Sequence, residues 1–522
     1  MKHNFRYYTA NLKKDIPAGL VVFLVALPLC LGIALASGAP PFAGIITGII
    51  GGLVVSSLSG SQLSVSGPAA GLTVIVLNGI ESLQSYEGFL VAVVLAGILQ
   101  LILGFAKAGI IGLFFPSGVI RGMLAAIGLI LILKQIPHFL GADEDFFGEM
   151  NFFQADGRNT FSEMFHAFGS INLGALIVGL FSLFILIMWD RPFLKKYTFF
   201  KVIPGALLVV IFSVLLNFLF RNFMPDLAIS SAHLVNLPII NGTGDLISEL
   251  QFPDWNFLTN KDVYILAFTI AIIASLESLL SVEAVDKLDP HKRNTPTNRE
   301  LKAQGVGNLI SGLIGGMPLT AVIVRSSANI NAGGQTKVSA FVHGIFLLLS
   351  VLFLASFLNQ VPLSALAAVL LLVGYKLTKP ALYKSQWKLG INQFIPFFVT
   401  VVAILFTDLL IGISIGLAIG IFYILKANYE SAYFFHREEV PGKKKAIRLR
   451  LSEHVSFLNK ASIIQVLDKV PDNSFVIIDG TSSINIDYDV LETIERFKVS
   501  AQDRGITVEL INIPEVELAE GH

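Results

Sequence analysis

The sequence is poor in charge and nearly without cysteine, and each shortage removes a class of protein. Of its 522 residues only 14% are Asp, Glu, Lys or Arg, against roughly 25% in an average soluble domain. With 54% of residues hydrophobic, a wholly soluble fold is excluded, because that much apolar surface exceeds what a core of this size buries. The single cysteine, Cys30, allows neither an intramolecular disulfide nor a cysteine-based metal cluster. No metal site, cofactor or redox chemistry is expected. A net charge of zero gives no global attraction to nucleic acid.

The charges that are present lie unevenly. Of the 74 acidic and basic residues, 26 fall from Arg437 onward, which divides the chain into a long apolar body and a short polar tail. No cleavable leader is expected, since the first apolar run follows Lys13 and Lys14 and is longer than a signal core.

A helix needs about 20 apolar residues to cross the hydrocarbon layer, where water cannot serve its backbone. The apolar runs predict fourteen spans, near 16–36, 41–59, 66–80, 88–106, 117–136, 171–190, 202–220, 262–285, 300–315, 318–332, 338–358, 362–376, 393–409 and 411–427. Residues 1–14 form a cytosolic segment, 15–430 the membrane domain and 431–522 a cytosolic domain. The loop charges fit this count, because Lys and Arg collect in cytoplasmic loops. Lys2, Arg6, Lys13 and Lys14 fall inside, as do Arg191, Lys195, Lys196 and Lys201, then Lys287, Lys292, Arg293, Arg299 and Lys302, then Lys376, Lys379, Lys384 and Lys388. The outer loop 137–170 has six carboxylates and one arginine.

Two spans are short and open unusually. Gly60 to Ala70 precedes the third and Gly312 to Thr320 the tenth, and each is a glycine-rich stretch ending at a proline, Pro68 or Pro318. Proline suits a first helical turn, so both spans are expected to begin as half-helices within the membrane. They are third in each set of seven, and an odd repeat inverts the second half against the first. This is the pattern of an inverted repeat with broken helices facing one another. Gly48, Gly51, Gly52, Gly412, Gly416 and Gly420 are instead read as close helix packing.

A helix start carries unpaired N–H groups and partial positive charge, which together attract an anion. The expected anion site comprises Ser66, Gly67, Pro68, Ala69 and Ala70 from one start and Pro318, Leu319, Thr320, Ala321 and Val322 from the other. The donors are the N–H groups of Ser66, Ala69, Ala70, Thr320, Ala321 and Val322. Charged residues inside a span are costly and point to function. Arg325 would add positive field beneath the anion. Glu277, with Ser281, would carry a coupling proton or help hold a cation; the plain alternative is that Glu277 and Arg325 pair and lock two helices. Asp408 is read as a helix cap. His343, Lys134 and Arg121 are read as reaching toward the membrane surface.

The stretches Ala26-Leu27-Pro28, Ser37-Gly38-Ala39-Pro40-Pro41, Ser66-Gly67-Pro68-Ala69-Ala70 and Asn298-Arg299-Glu300-Leu301 resemble those of the SulP, or sulfate permease, family of anion transporters. So do Gln304-Gly305, Asn308, Gly315-Gly316-Met317-Pro318 and Arg325-Ser326-Ser327-Ala328-Asn329. The resemblance implies an all-α polytopic fold with a seven-plus-seven repeat. Spans 1–4 and 8–11 would form a core that moves like an elevator against a gate of spans 5–7 and 12–14. It implies a homodimer in the cell (inner) membrane carrying bicarbonate, sulfate or a dicarboxylate. Glu277 falls where proton-coupled members have an acid and sodium-coupled bicarbonate members an Asp. The bicarbonate members lack the arginine seen here as Arg325, which favours the proton over Na+. Leu29 replaces a polar residue found in many members. A sodium-coupled bicarbonate symporter or an uncoupled exchanger is the alternative, a nucleobase carrier of this fold a weaker one. A membrane enzyme is not expected, since no acid–base or metal cluster occurs in the spans.

The tail reads as α/β: strands at 446–451, 474–479 and 507–511, helices at 456–469 and 488–503. It resembles a STAS domain, the usual SulP tail, cut short after its last strand. The stretch Ile486-Asp487-Tyr488-Asp489 lacks the serine that is phosphorylated in anti-sigma antagonists, so that control is not expected here.

Overall fold

A computed structural model describes the chain apart from residues 1–4, 143–151, 153–158, 192–193, 195–202, 237–248, 431–432, 441–442 and 517–522. Lys2, Lys195, Lys196, Lys201 and much of the acidic loop 137–170 therefore lie outside the described residues. The chain forms two compact units, Met1–Leu417 and Ala418–His522.

Helices occupy each expected segment. They are α1 (Phe5–Ala36), α2 (Pro41–Leu58), α3 (Ala70–Leu83), α4 (Tyr86–Phe105), α5 (Ser117–Leu140), α6 (Leu173–Trp189) and α7 (Gly205–Phe223). The second series is α8 (Lys261–Leu288), α9 (Thr297–Leu313), α10 (Ile323–Asn331), α11 (Val338–Leu358), α12 (Leu363–Leu377), α13 (Ile391–Phe406) and α14 (Leu409–Glu430). Among the described residues nine helices are long and apolar enough to cross a membrane, and α3, α6 and α13 are shorter apolar helices. α9 and α10 meet neither measure. α9 carries Arg299, Glu300, Lys302, Gln304 and Asn308 on 17 residues, and α10 is nine residues long with Arg325 in its first turn. Length and composition thus support fewer crossings than fourteen.

The packing follows a regular scheme. α4 lies against α9, and α11 against α2; α1 touches α10 and α11, while α8 touches α3 and α4. α6 packs on α12, α13 on α5, and α5 on α12. Replacing each helix by the one seven places away returns the same set of pairs. Glycine permits the closest approach: a side chain at Gly52 of α2 would overlap the Gly344 backbone of α11. One buried carboxylate ties α1 to the entry of α11, since Asp15 of α1 accepts from the N–H groups of Gln335 (2.7 Å) and Thr336 (3.0 Å).

Two short strands interrupt this helical unit. β1 (Ser66–Pro68) and β2 (Leu319–Ala321) pair antiparallel, with Ser66 opposite Ala321, Gly67 opposite Thr320 and Pro68 opposite Leu319. The expectation that Pro68 and Pro318 begin helices is corrected here. Pro68 ends a strand and Pro318 precedes one, and the helices start later, at Ala70 and Ile323. Proline's fixed φ also suits extended backbone, and a strand end tolerates its missing donor.

The second unit contains a four-stranded sheet, β3 (Tyr433–Val440), β4 (Lys443–Leu451), β5 (Phe475–Asp479) and β6 (Thr507–Ile511), in that spatial order. β3 and β4 are antiparallel and the remaining pairs parallel. The helices Lys460–Asp468 and Tyr488–Ser500 supply the crossovers, and Leu449, Ile463, Ile478 and Ile494 share its core. The strand β3 was not expected from the sequence.

Candidate anion-binding site

The strand pair is held by isolated polar side chains from α9 and α2. Asn308 of α9 accepts from the Leu319 N–H (2.6 Å) and donates to the Leu319 carbonyl (3.1 Å) and to Gln100 Oε1 of α4 (2.6 Å). Gln304, one turn earlier, donates to Ser66 Oγ and to Glu300 Oε1, both at 2.8 Å. Thr47 of α2 accepts from the Met317 N–H at 2.7 Å. Such groups are expensive to bury unless paired. Here they fix a backbone that no continuous helix could supply.

That bracing uses several donors expected to face the anion. The Val322 N–H donates to the Val65 carbonyl (2.9 Å) and the Ala321 N–H to Ser278 Oγ (3.2 Å). Ser66 is held by Gln304, and Thr320 is fully buried with its hydroxyl on the Ala321 carbonyl. The helix starts themselves remain open. The residues preceding them, Ala69 and Val322, are apolar, and no side chain caps either start. Their first N–H groups therefore need another acceptor.

Both starts border a cavity of about 360 Å³. Of the residues expected in the site, Pro68, Ala70, Val322, Arg325, Glu277 and Ser281 line it. Ser66, Gly67, Ala69, Pro318, Leu319, Thr320 and Ala321 do not, and serve as its frame. Leu29, Ile33, Val74 and Ile75 form an apolar wall, and Leu29 confirms that α1 adds no polar group at that position. The opposite wall, unforeseen in the sequence, comes from Ile127 and Ile130 of α5 and from Asp408 to Ile411 at the start of α14. Asp408 does cap that helix, accepting from the Ile411 N–H at 2.8 Å.

Besides Asp408, which is engaged as a helix cap, two charged side chains line this space. Arg325 is 1% exposed, and neither terminal nitrogen has a hydrogen-bond partner. Its guanidinium lies against Gly67, where any side chain would collide with it. Glu277 is 5% exposed with Oε2 unpartnered, and a Cβ on Gly71 would stand 3.1 Å from that oxygen. Glu277 thus sits beside the first turn of α3, and Gly71 is the residue that admits it. Glu277 and Arg325 form no ion pair with each other among the described residues. The site therefore holds a buried cation and a buried carboxyl group, both uncommitted, beside two uncapped helix starts.

Two peripheral expectations are corrected. His343 is fully buried in α11, with neither ring nitrogen hydrogen-bonded, and Lys134 is buried in α5. Neither reaches the membrane surface, because neighbouring helices cover both. Among the described residues no three His, Cys, Asp or Glu side chains are grouped so as to hold a metal.

A family model described as the sulfate permease family matches residues 12–402. YvdB of Bacillus subtilis (strain 168) is 30% identical over 440 residues, covering 83% of this chain and 78% of its own. The bicarbonate transporter BicA of a Picosynechococcus species is 26% identical over 419 residues, covering 78% and 69%. Among solved structures, SLC26A9 superposes with a TM-score of 0.68 at 17% identity, covering 98% of this chain and 86% of its own. The transmembrane domain of a cyanobacterial BicA gives 0.53 at 23% identity, covering 80% and 99%. At these identities the structural likeness is one of fold. With its apolar helices and a family match from residue 12 to 402, this multi-pass membrane protein belongs to the sulfate permease family.

Proposed function

We propose that the protein is a secondary transporter that carries a small anion, such as bicarbonate, sulfate or a dicarboxylate, together with a proton. The observation that carries this reading is the pair of uncommitted groups, Arg325 and Glu277, in one cavity beside two uncapped helix starts. Arg325 and the helix starts attract the anion. Protonation of Glu277 removes a negative charge from the same space, so the proton and the anion favour each other's binding. An uncoupled exchanger whose Glu277 serves only as the partner of Arg325 is disfavoured, because the two are not paired.

In this reading all fourteen helices cross or enter the membrane, as two inverted sets of seven. The exchange of packing partners between helices seven places apart supports that repeat. α1 to α4 and α8 to α11 then form the moving core, and α5 to α7 with α12 to α14 form the gate. The cavity has walls from both sets, as an elevator-like carrier requires. The protein would act as a homodimer in the cell membrane, with its N-terminus and STAS-like tail in the cytoplasm.

Reconstituted vesicles test the coupling. Labelled bicarbonate or sulfate should enter faster under an inward proton gradient, and replacing Na+ by K+ should change nothing. Glu277→Gln should keep downhill uptake and lose the gradient's effect. A gradient response that survives in Glu277→Gln would rule out the carboxyl as the proton carrier.

A further inference from the structure

A second cavity, of about 580 Å³, lies where the last turns of α8, the first turns of α5 and the end of α12 meet. Five cationic side chains line it, Arg121, Lys287, Lys292, Lys376 and Lys379, with only two acidic ones, Glu283 and Asp286. Both acids are already engaged. Glu283 pairs with Lys287 at 3.3 Å, and Asp286 accepts from the Thr295 N–H (2.6 Å) and hydroxyl (2.7 Å). Lys376 has an outside partner, Asp190, at 3.0 Å. Lys292 donates to a neutral group, the Lys287 carbonyl, at 2.7 Å. Arg121, Lys292 and Lys379 are left with no carboxylate among the described residues, around one cavity open to the surface.

Basic loops at a cytoplasmic face are ordinary. Three cations converging on one cavity from separate segments with no carboxylate to answer them are not, because their like charges add to a local attraction for anions. A singly charged ion would answer one of them. The geometry points to a phosphate-bearing anion of two or more charges, whose several oxygens reach cations on opposite sides at once. We infer that such an anion binds here from the cytoplasmic side and slows transport. It would bridge Lys292, in the loop that follows α8, to Arg121 of α5 and Lys379 beyond α12. This rests on the proposed division into core and gate, which assigns α8 to one and α5 and α12 to the other. An occupant would tie the two sets together, while the empty cavity would favour their separation. A soluble phosphate compound and an anionic lipid of the adjoining leaflet present this same chemistry.

Purified protein in phosphatidylcholine nanodiscs, with inorganic tripolyphosphate as the probe, tests the site. Tripolyphosphate should raise the thermal unfolding midpoint beyond potassium chloride of equal ionic strength, and should slow uptake when present on the cytoplasmic face of proteoliposomes. Arg121→Gln/Lys379→Gln should weaken that response by about 25-fold, from about 1 kcal/mol, or fivefold, per cation, with uptake in the absence of the probe unchanged. A rise seen only when phosphatidylglycerol replaces part of the phosphatidylcholine assigns the site to a lipid phosphate and supports it equally. No rise with either probe, or an undiminished rise in the double variant, overturns the site. A rise without slower uptake overturns the restraint. The binding measurement needs no transport, so loss of the transporter reading would leave its result standing.

Discussion

Arg325→Met removes the one guanidinium in the candidate site while keeping a flexible, unbranched side chain. The native group is 1% exposed and both terminal nitrogens lack hydrogen-bond partners, so no carboxylate offsets its desolvation. Replacing it by an apolar side chain should stabilise the protein by about 1–4 kcal/mol, the range seen when buried charges give way to well-packed apolar groups. Anion binding should move the other way. At about 4 Å and an effective dielectric of about 20, a unit charge attracts a univalent anion by about 4 kcal/mol, an upper figure that corresponds to about 1,000-fold in affinity. Desolvation of both ions offsets part of it, and we expect a loss of at least about tenfold, or about 1.4 kcal/mol. Concentration-dependent uptake into proteoliposomes reads the affinity, and thermal unfolding of the purified protein reads the stability. Opposite signs are the signature of a group kept for a ligand. If Arg325→Met unfolds earlier than the parent and binds the anion equally well, Arg325 is a structural residue and the site has been misplaced.

Gly67→Ala should push the guanidinium out of position, destabilising by about 1–3 kcal/mol as overpacking does and raising the half-saturation concentration; Gly67→Ala/Arg325→Lys should recover the stability, and a silent single variant would disprove the crowding. Asn308→Ala strands both backbone groups of Leu319 and the Gln100 side chain, so thermal unfolding should register a loss of about 3 kcal/mol. Beyond α8, burial pushes the Asp289 carboxyl up, but the Arg293 guanidinium at 2.6 Å and the N–H groups of His291 and Arg293 outweigh it and hold it below the usual range. A carboxyl lowered in this way stabilises the fold above its unfolded value of about 3.9, and the contribution fades as pH falls through its folded value. Asp289→Asn should therefore flatten the acid limb of the stability curve, and an unchanged limb would show that Asp289 does not contribute to it.

The helices were legible because long apolar runs leave a backbone in lipid little alternative, and the loop charges ordered them. The strand pair was not. Its two members are three residues each and about 250 residues apart, and no periodicity is visible in three residues. Reading the prolines as helix starts followed from local preference alone; the pairing that overrode it is long-range. The bracing residues did leave a trace, since Gln100 stands alone in Leu99-Gln100-Leu101 within an apolar helix, and an isolated amide there asks for a partner. The wall from Ile127, Ile130 and Asp408 to Ile411 left none, because contact between helices distant in sequence is set by packing. In the tail, β3 escaped notice because His436-Arg437-Glu438-Glu439 interrupts the apolar alternation that marks a strand.

The ladder between β1 and β2 works as a crossbar. The first turns of α3 and α10 come from different halves of the membrane domain's sequence, yet neither can shift alone without breaking the bonds at Val65, Ser278 and Leu319. In the proposed carrier, an anion resting between them would sit in a rigid cradle that travels whole. Release then depends on what the cradle slides past, and substitutions on one strand should be felt at the helix attached to the other.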